Sequence, residues 1–164
     1  DDSSTILSRA MERAAVPART IGLVEADGSG IGVAEAREIA AIQKLWGEHH
    51  PGGPLVGIGS VKGNIGHTLR ASMTAGVVKA ALALYHRVLP PQVEVGYAAE
   101  ALSNLSSSAY LLDEARPWIT GDSANPRRAV VLGANFDPHD PIGPASAGGR
   151  AAAIILEEEP EVRQ

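Results

Sequence analysis

Apolar residues at Ile6, Leu7, Ala10, Met11 and Ala14 recur at helical spacing behind Ser3 and Ser4, either of which can cap a helix, and Pro17 ends the run. The pattern predicts an amphipathic surface helix. It then changes period: Ile21 to Ala26 is a short apolar run against a Gly-rich turn, read as a buried strand that delivers Asp27 to a loop. From Ala34 to about His49, the positions Ala36, Ile39, Ala40, Ile42, Leu45 and Trp46 restore helical spacing, and "HHPGGP" at His49 to Pro54 breaks it. Leu55 to Val61 reads as the next strand.

The segment Leu69 to Val88 differs in kind. It is Ala-rich, carries small residues at Ala71, Ala75, Gly76, Ala80, Ala81 and Ala83, and has no broad polar face, so it predicts a helix buried in a large core. Past Leu89-Pro90-Pro91 the chain reads as irregular, with a short strand at Tyr110 to Leu112 and a turn at "ARPW", Ala115 to Trp118. Arg128 to Gly133 and Ala151 to Glu157 read as two β-segments, separated by a Pro-, Gly- and Asp-rich stretch too long for a hairpin turn. The closing "EEEPEVRQ" reads as a solvated tail. Strands alternating with helices and followed by a final antiparallel pair predict a layered α/β fold with a mixed sheet of about four or five strands. Residues 1–158 form one domain on this reading, with 159–164 as linker or tail.

At 164 residues the chain has room for one ordinary domain with its own core. Aromatic residues are 4%, so that core must be built mainly from Ala, Val, Ile and Leu. A formal net charge of −5 without a Lys/Arg cluster argues against nucleic acid as a partner. There are no cysteines, which excludes a disulfide scaffold, a thiolate metal site and a cysteine nucleophile from this chain. Apolar runs fall short of the roughly 18 to 20 residues a membrane span needs, and "DDSS" lacks the features of a signal peptide. The expectation is a soluble, cytoplasmic protein. His49-His50 at a helix end and His139-Asp140 in a loop do not make a convincing ligand set, so no metal is expected.

Two loops carry the candidate chemistry: "VEADGSGIG" at Val24 to Gly32 and "GSVKGNIGHT" at Gly59 to Thr68. Together with the Ala-rich helix, "VLPP", "LLDEARPW", "PRRAVV" and "IILEEEP", in that order along almost the whole chain, they resemble the carboxy-terminal half of a β-ketoacyl synthase, the condensing domain of polyketide and fatty acid synthases. The resemblance implies a thiolase-like fold. It also implies an activity shared between halves: an N-terminal half supplies a nucleophilic cysteine that takes an acyl chain from an acyl carrier protein, and the C-terminal half supplies two histidines. Those histidines assist decarboxylation of the extender and stabilise charge on the thioester oxygen. Carried over by position, His67 matches the second histidine, Lys62 the motif lysine, Asn64 the motif asparagine, and Glu38 the glutamate that pairs with that lysine.

The departures are equally specific. Asp27 stands where the family has its first histidine, Ser29 replaces the first threonine of that loop, and Ile31 replaces the second, which in the family helps bind phosphopantetheine. Arg150 and Ala151 to Ala153 replace polar residues of a Gly-Gly-Thr-Asn-Ala-His segment, and the glycine-rich loop before it is longer here. An ionised aspartate only accepts hydrogen bonds and repels a developing oxyanion, so Asp27 speaks against ordinary condensation. Two roles for it are open: a turn residue accepting backbone hydrogen bonds, or an ion pair with His67 across the old cleft.

Lys62 and Glu38 are expected to form a structural salt bridge beneath the site. His67 is either catalytic or retained for structure. No cofactor is expected on the chain itself; phosphopantetheine of an acyl carrier protein is the substrate arm the resemblance implies. The expected partners are a missing N-terminal ketosynthase half or a second copy covering the apolar helix, and an acyl carrier protein. The reading that results is a degenerate, chain-length-factor-like half-domain, with a fragment of an active synthase as the alternative.

Overall fold

In a computed structural model of the chain, the described residues are 3–30, 32–49, 55–93, 105, 109–120, 125–134 and 151–159. The elements begin with α1 (Ser3–Ala14), β1 (Ile21–Glu25), α2 (Gly32–His49) and β2 (Val56–Gly59). A four-residue helix α3 (Lys62–Ile65) and a 3-10 turn at Leu69–Ala71 lead into α4 (Ser72–His86). Then follow β3 (Val88–Leu89), β4 (Ala109–Leu111), β5 (Arg116–Pro117), β6 (Arg128–Ala134) and β7 (Ala151–Glu157).

Five of the strands form a mixed sheet in the order β4-β2-β1-β6-β7. The pairings β4-β2, β2-β1 and β1-β6 are parallel, and β7 closes the sheet antiparallel to β6 with Val130 opposite Ile155. Parallel strands buried on both faces need apolar residues at successive positions, which is why "IGLVEA" and "RAVVLGA" do not alternate with polar residues. Each face has its own core. Val130 and Leu132 of β6 pack with Leu7, Met11, Ile42 and Trp46 of α1 and α2, while Ala129 and Val131 pack with Ala80, Ala83 and Leu84 of α4. An irregularity in the β1-β6 pairing between Ile21 and Leu23 resets the alternation, so Leu23 joins the α4 core. Two positions further, Glu25 falls on that same α4 side.

Helix α4 lies unusually close to the sheet. A Cβ on Gly76 would sit 3.0 Å from Val131 Cγ1 and 3.1 Å from Glu25 Cγ, so only a glycine fits without displacing its neighbours.

Several expectations are corrected. The Ala-rich helix does not start at Leu69, because Leu69 takes φ +52 and the backbone forms a 3-10 turn before Ser72. It ends at His86, where Arg87 adopts a left-handed conformation and its N–H caps Ala83 and Leu84. Nor is it buried all round: Val78, Leu82 and Tyr85 are 53%, 52% and 81% exposed. Within "ARPW", Arg116 and Pro117 form β5 and pair antiparallel with β3. The start of the "EEEPEVRQ" tail is not simply solvated. Glu158 receives Arg127 through both oxygens at 2.8 and 3.0 Å, and Glu157 pairs with Arg128. These pairs fasten the end of β7 to β6. The Pro-rich stretch between β6 and β7 lies outside the described residues.

Candidate functional site

Strands β1 and β2 run parallel and end side by side, with Glu25 paired to Gly59, so both motif loops leave the same edge of the sheet. That is where open α/β sheets place their chemistry. The Asp27 loop is pressed against the Lys62 loop at Gly28. With φ +51 and a Cβ position 2.7 Å from Ser60 Oγ, Gly28 could be no other residue without strain.

Asp27 Oδ1 accepts a hydrogen bond from Lys62 Nζ at 2.8 Å, and the two side chains are 15% and 8% exposed. This corrects the expected Lys62–Glu38 bridge: the lysine reaches the loop carboxylate. Glu38, buried on α2, accepts instead from the Asp27 N–H at 2.7 Å and the Gly28 N–H at 3.0 Å. Burial pushes the Glu38 carboxyl up to about 7; the Gly28 and Asp27 amides oppose that rise, the Asp27 charge adds to it, and Lys62 gives a smaller opposing pull.

His67 is not brought into an ion pair with Asp27. It is exposed, in the stretch between α3 and the 3-10 turn, and its Nδ1 accepts the Leu69 N–H at 3.0 Å. With Nδ1 accepting, the proton of the neutral ring sits on Nε2, which leaves His67 a hydrogen-bond donor. Asn64 is exposed on α3, and Ser29 is half-buried in the Asp27 loop. Ile31 lies outside the described residues, as do His50, His139 and Asp140. Among the described residues no group of three or more His, Asp or Glu side chains is placed to hold a metal ion.

Sequence reasoning missed a second buried pair. Glu25, 1% exposed, faces Lys79 of α4 with Oε2 and Nζ 2.8 Å apart, an ion contact whose angles fall outside those of a hydrogen bond. Its other oxygen accepts the Val61 N–H. Burial raises the Glu25 carboxyl above the usual range, against the pull of Lys79, the Val61 amide and Lys62. A signal was present: Glu25 is the acidic residue of an apolar strand, and Lys79 is the lysine of an apolar helix.

Several amides of the two loops have side-chain acceptors already. Asp27 and Gly28 donate to Glu38, Gly30 to Glu35, Ser60 to Gln92, and Val61 to Glu25. Five backbone donors that could line an oxyanion hole are therefore spent on positioning the loops. Around the Asp27–Lys62 pair, Glu25, Ser60, Ser72 and Gly76 line a small recess.

Residues 1–96 match the model of the β-ketoacyl synthase C-terminal domain. The chain belongs to that family. The ketosynthase half is 35% identical over 93% of its length to polyketide synthase GfsE of Streptomyces halstedii, and 36% identical over 95% to erythronolide synthase EryA3 of Saccharopolyspora erythraea. It spans 4% of each of those proteins. Among solved structures, a ketosynthase from module 6 of the bacillaene synthase of Bacillus subtilis 168 superposes with a TM-score of 0.76 at 31% identity, over 92% of this chain and 25% of that one. An oxazolomycin ketosynthase domain of Streptomyces albus gives 0.80 at 28% identity, over 98% and 27%. The mixed five-stranded sheet is thus the thiolase-like architecture of ketosynthases, and the chain spans about a quarter of the length of those solved chains.

Proposed function

We propose that this ketosynthase half does not support condensation and serves to complete and wall a ketosynthase fold, in the manner of a chain-length factor. The Asp27–Lys62 pair carries the reading. A histidine at position 27 could donate to an oxygen gaining negative charge; the carboxylate there accepts from Lys62 and opposes such charge. Loss of one oxyanion donor typically removes about 2.7 to 4 kcal/mol of transition-state stabilisation. The amides of Asp27, Gly28, Gly30, Ser60 and Val61 do not supply a replacement donor, since side chains already occupy them. With no cysteine in the chain, the acyl acceptor must come from elsewhere.

The exposed stripe Val78, Leu82 and Tyr85 on α4 is the surface through which the remainder of a ketosynthase domain, or a second copy of the chain, completes the fold. Phosphopantetheine of an acyl carrier protein is the arm such an assembly would receive. One observation favours the alternative, a half of an active synthase: His67 is exposed and uses Nδ1, not Nε2, for its bond with the Leu69 N–H. Incubating the assembled ketosynthase that carries this chain with an acyl carrier protein thioester and a malonyl extender separates the two. The structural reading expects no β-ketoacyl product; turnover at the rate of an ordinary ketosynthase overturns it.

A further inference from the structure

Five charged side chains from four elements converge beneath the two loops. Glu25 ends β1, Asp27 lies in the loop after it, Glu38 projects from α2, Lys62 opens α3 and Lys79 comes from α4. Three are carboxylates and two are ammonium groups. Each lysine is committed to one carboxylate at 2.8 Å, Lys62 to Asp27 and Lys79 to Glu25, and both pairs are mostly shielded from solvent. Glu38 is left with two neutral backbone donors as its hydrogen-bond partners. Were all five ionised, the cluster would carry one uncompensated negative charge in a buried setting, which is strongly unfavourable unless a proton is taken up.

We propose that Glu38 keeps its proton up to neutral pH because Asp27 has taken Lys62 from it. The surplus charge enters with Asp27 and is resolved on Glu38, the carboxylate without a lysine of its own. Two influences oppose protonation: the amides of Asp27 and Gly28, which bond better to an ionised acceptor, and the more distant charge of Lys62. They are outweighed by burial and by the neighbouring Asp27 carboxylate, the two influences that raise the Glu38 carboxyl. Two further carboxylates lie in or near this cluster among the described residues. Glu25 is neutralised by Lys79, and Glu35, one turn before Glu38 on α2, is exposed enough to be solvated while it holds the Gly30 N–H. The proposal rests on this cluster alone and stands whether or not the assembled protein condenses acyl chains.

Infrared spectroscopy of the full chain across pH 5 to 9, following the C=O stretch of protonated carboxyl groups, reads the proton directly. The expected result is a buried carboxyl that titrates near pH 7 and is absent from Glu38→Gln. In Asp27→Asn the surplus charge is gone and Lys62 is released toward Glu38, so the midpoint falls by at least one pH unit, a tenfold or greater loss of proton affinity. Wild-type carboxyls all ionised by pH 5.5, a band titrating near pH 7 that keeps its full amplitude in Glu38→Gln, or a midpoint unchanged in Asp27→Asn would each overturn the proposal. Should Glu38→Gln fail to fold, the wild-type titration and Asp27→Asn decide it.

Discussion

At position 27 a carboxylate accepts hydrogen bonds and cannot give them, so the Lys62 ammonium 2.8 Å away is neutralised by the chain itself rather than by a bound anion. Removing Lys62 takes the ammonium partner from a largely buried carboxylate, whereas removing the Asp27 charge leaves Lys62 to turn toward Glu38. In a double-mutant cycle of Asp27→Asn and Lys62→Met, unfolded in urea, Lys62→Met destabilises and the coupling energy comes out at about 1–3 kcal/mol. Additive effects would mean that the pair contributes nothing. Glu38 sets a second expectation. Its carboxyl titrates near 4.5 when unfolded and near 7 when folded, so between these values the folded chain binds more protons than the unfolded chain. Stability is therefore greatest below 4.5 on this account, falls by roughly 3 kcal/mol as pH rises to 7, and is level beyond. Urea midpoints across that range should show the decline in the wild type and a flatter profile in Glu38→Gln. The residue types at this site were legible in the chain. The pairing was not, because a linear motif cannot say which of two nearby carboxylates a flexible lysine will reach, and that choice is made by the loop pressed in place at Gly28.

Helix α4 shows what periodicity can and cannot reveal. Its composition predicts a helix buried in a large core; the face of Gly76 is buried against Val131 and Glu25, while the face of Val78, Leu82 and Tyr85 is not. Gly76→Val should cost about 1–3 kcal/mol of stability by forcing Val131 and Glu25 aside, measured as a lowered unfolding midpoint. An unchanged midpoint would mean that helix and sheet are not held in contact. The helix boundary was misread because Leu69 to Ala71 continue the apolar pattern; the break there is a backbone conformation, φ +52 at Leu69, that no side-chain sequence spells out. Strands β3 and β5 escaped notice for a different reason. At two residues each they are shorter than any period, and their pairing joins Val88 to Pro117 across a long stretch of chain. By contrast β1, β2, β6 and β7 were plain from their apolar runs, since burial on both sheet faces or against α1 leaves little choice of residue.

Among the described residues of the molecule, one face of α4 is left exposed. Val78 and Leu82 lie one turn apart on α4 and Tyr85 nearly one turn further, all more than half exposed, while the opposite face is fixed to the sheet through Gly76, Ala80 and Ala83. Light scattering of the chain alone should therefore show concentration-dependent association, abolished in Val78→Ser/Leu82→Ser/Tyr85→Ser; a wild type that stays monomeric at high concentration would remove the basis for an interface there. The chain spans about a quarter of the length of the solved ketosynthase chains it matches, and on the proposed reading the rest of a ketosynthase domain is what such a face would meet. Whether that domain condenses turns on Asp27. The most direct test is the β-ketoacyl product formed by the assembled ketosynthase, with its cysteine present, in the wild type and in Asp27→His. The account predicts no product above background from the wild type and a gain of about 10² to 10³ on restoring the donor. A wild type that matches Asp27→His within a factor of ten would contradict it.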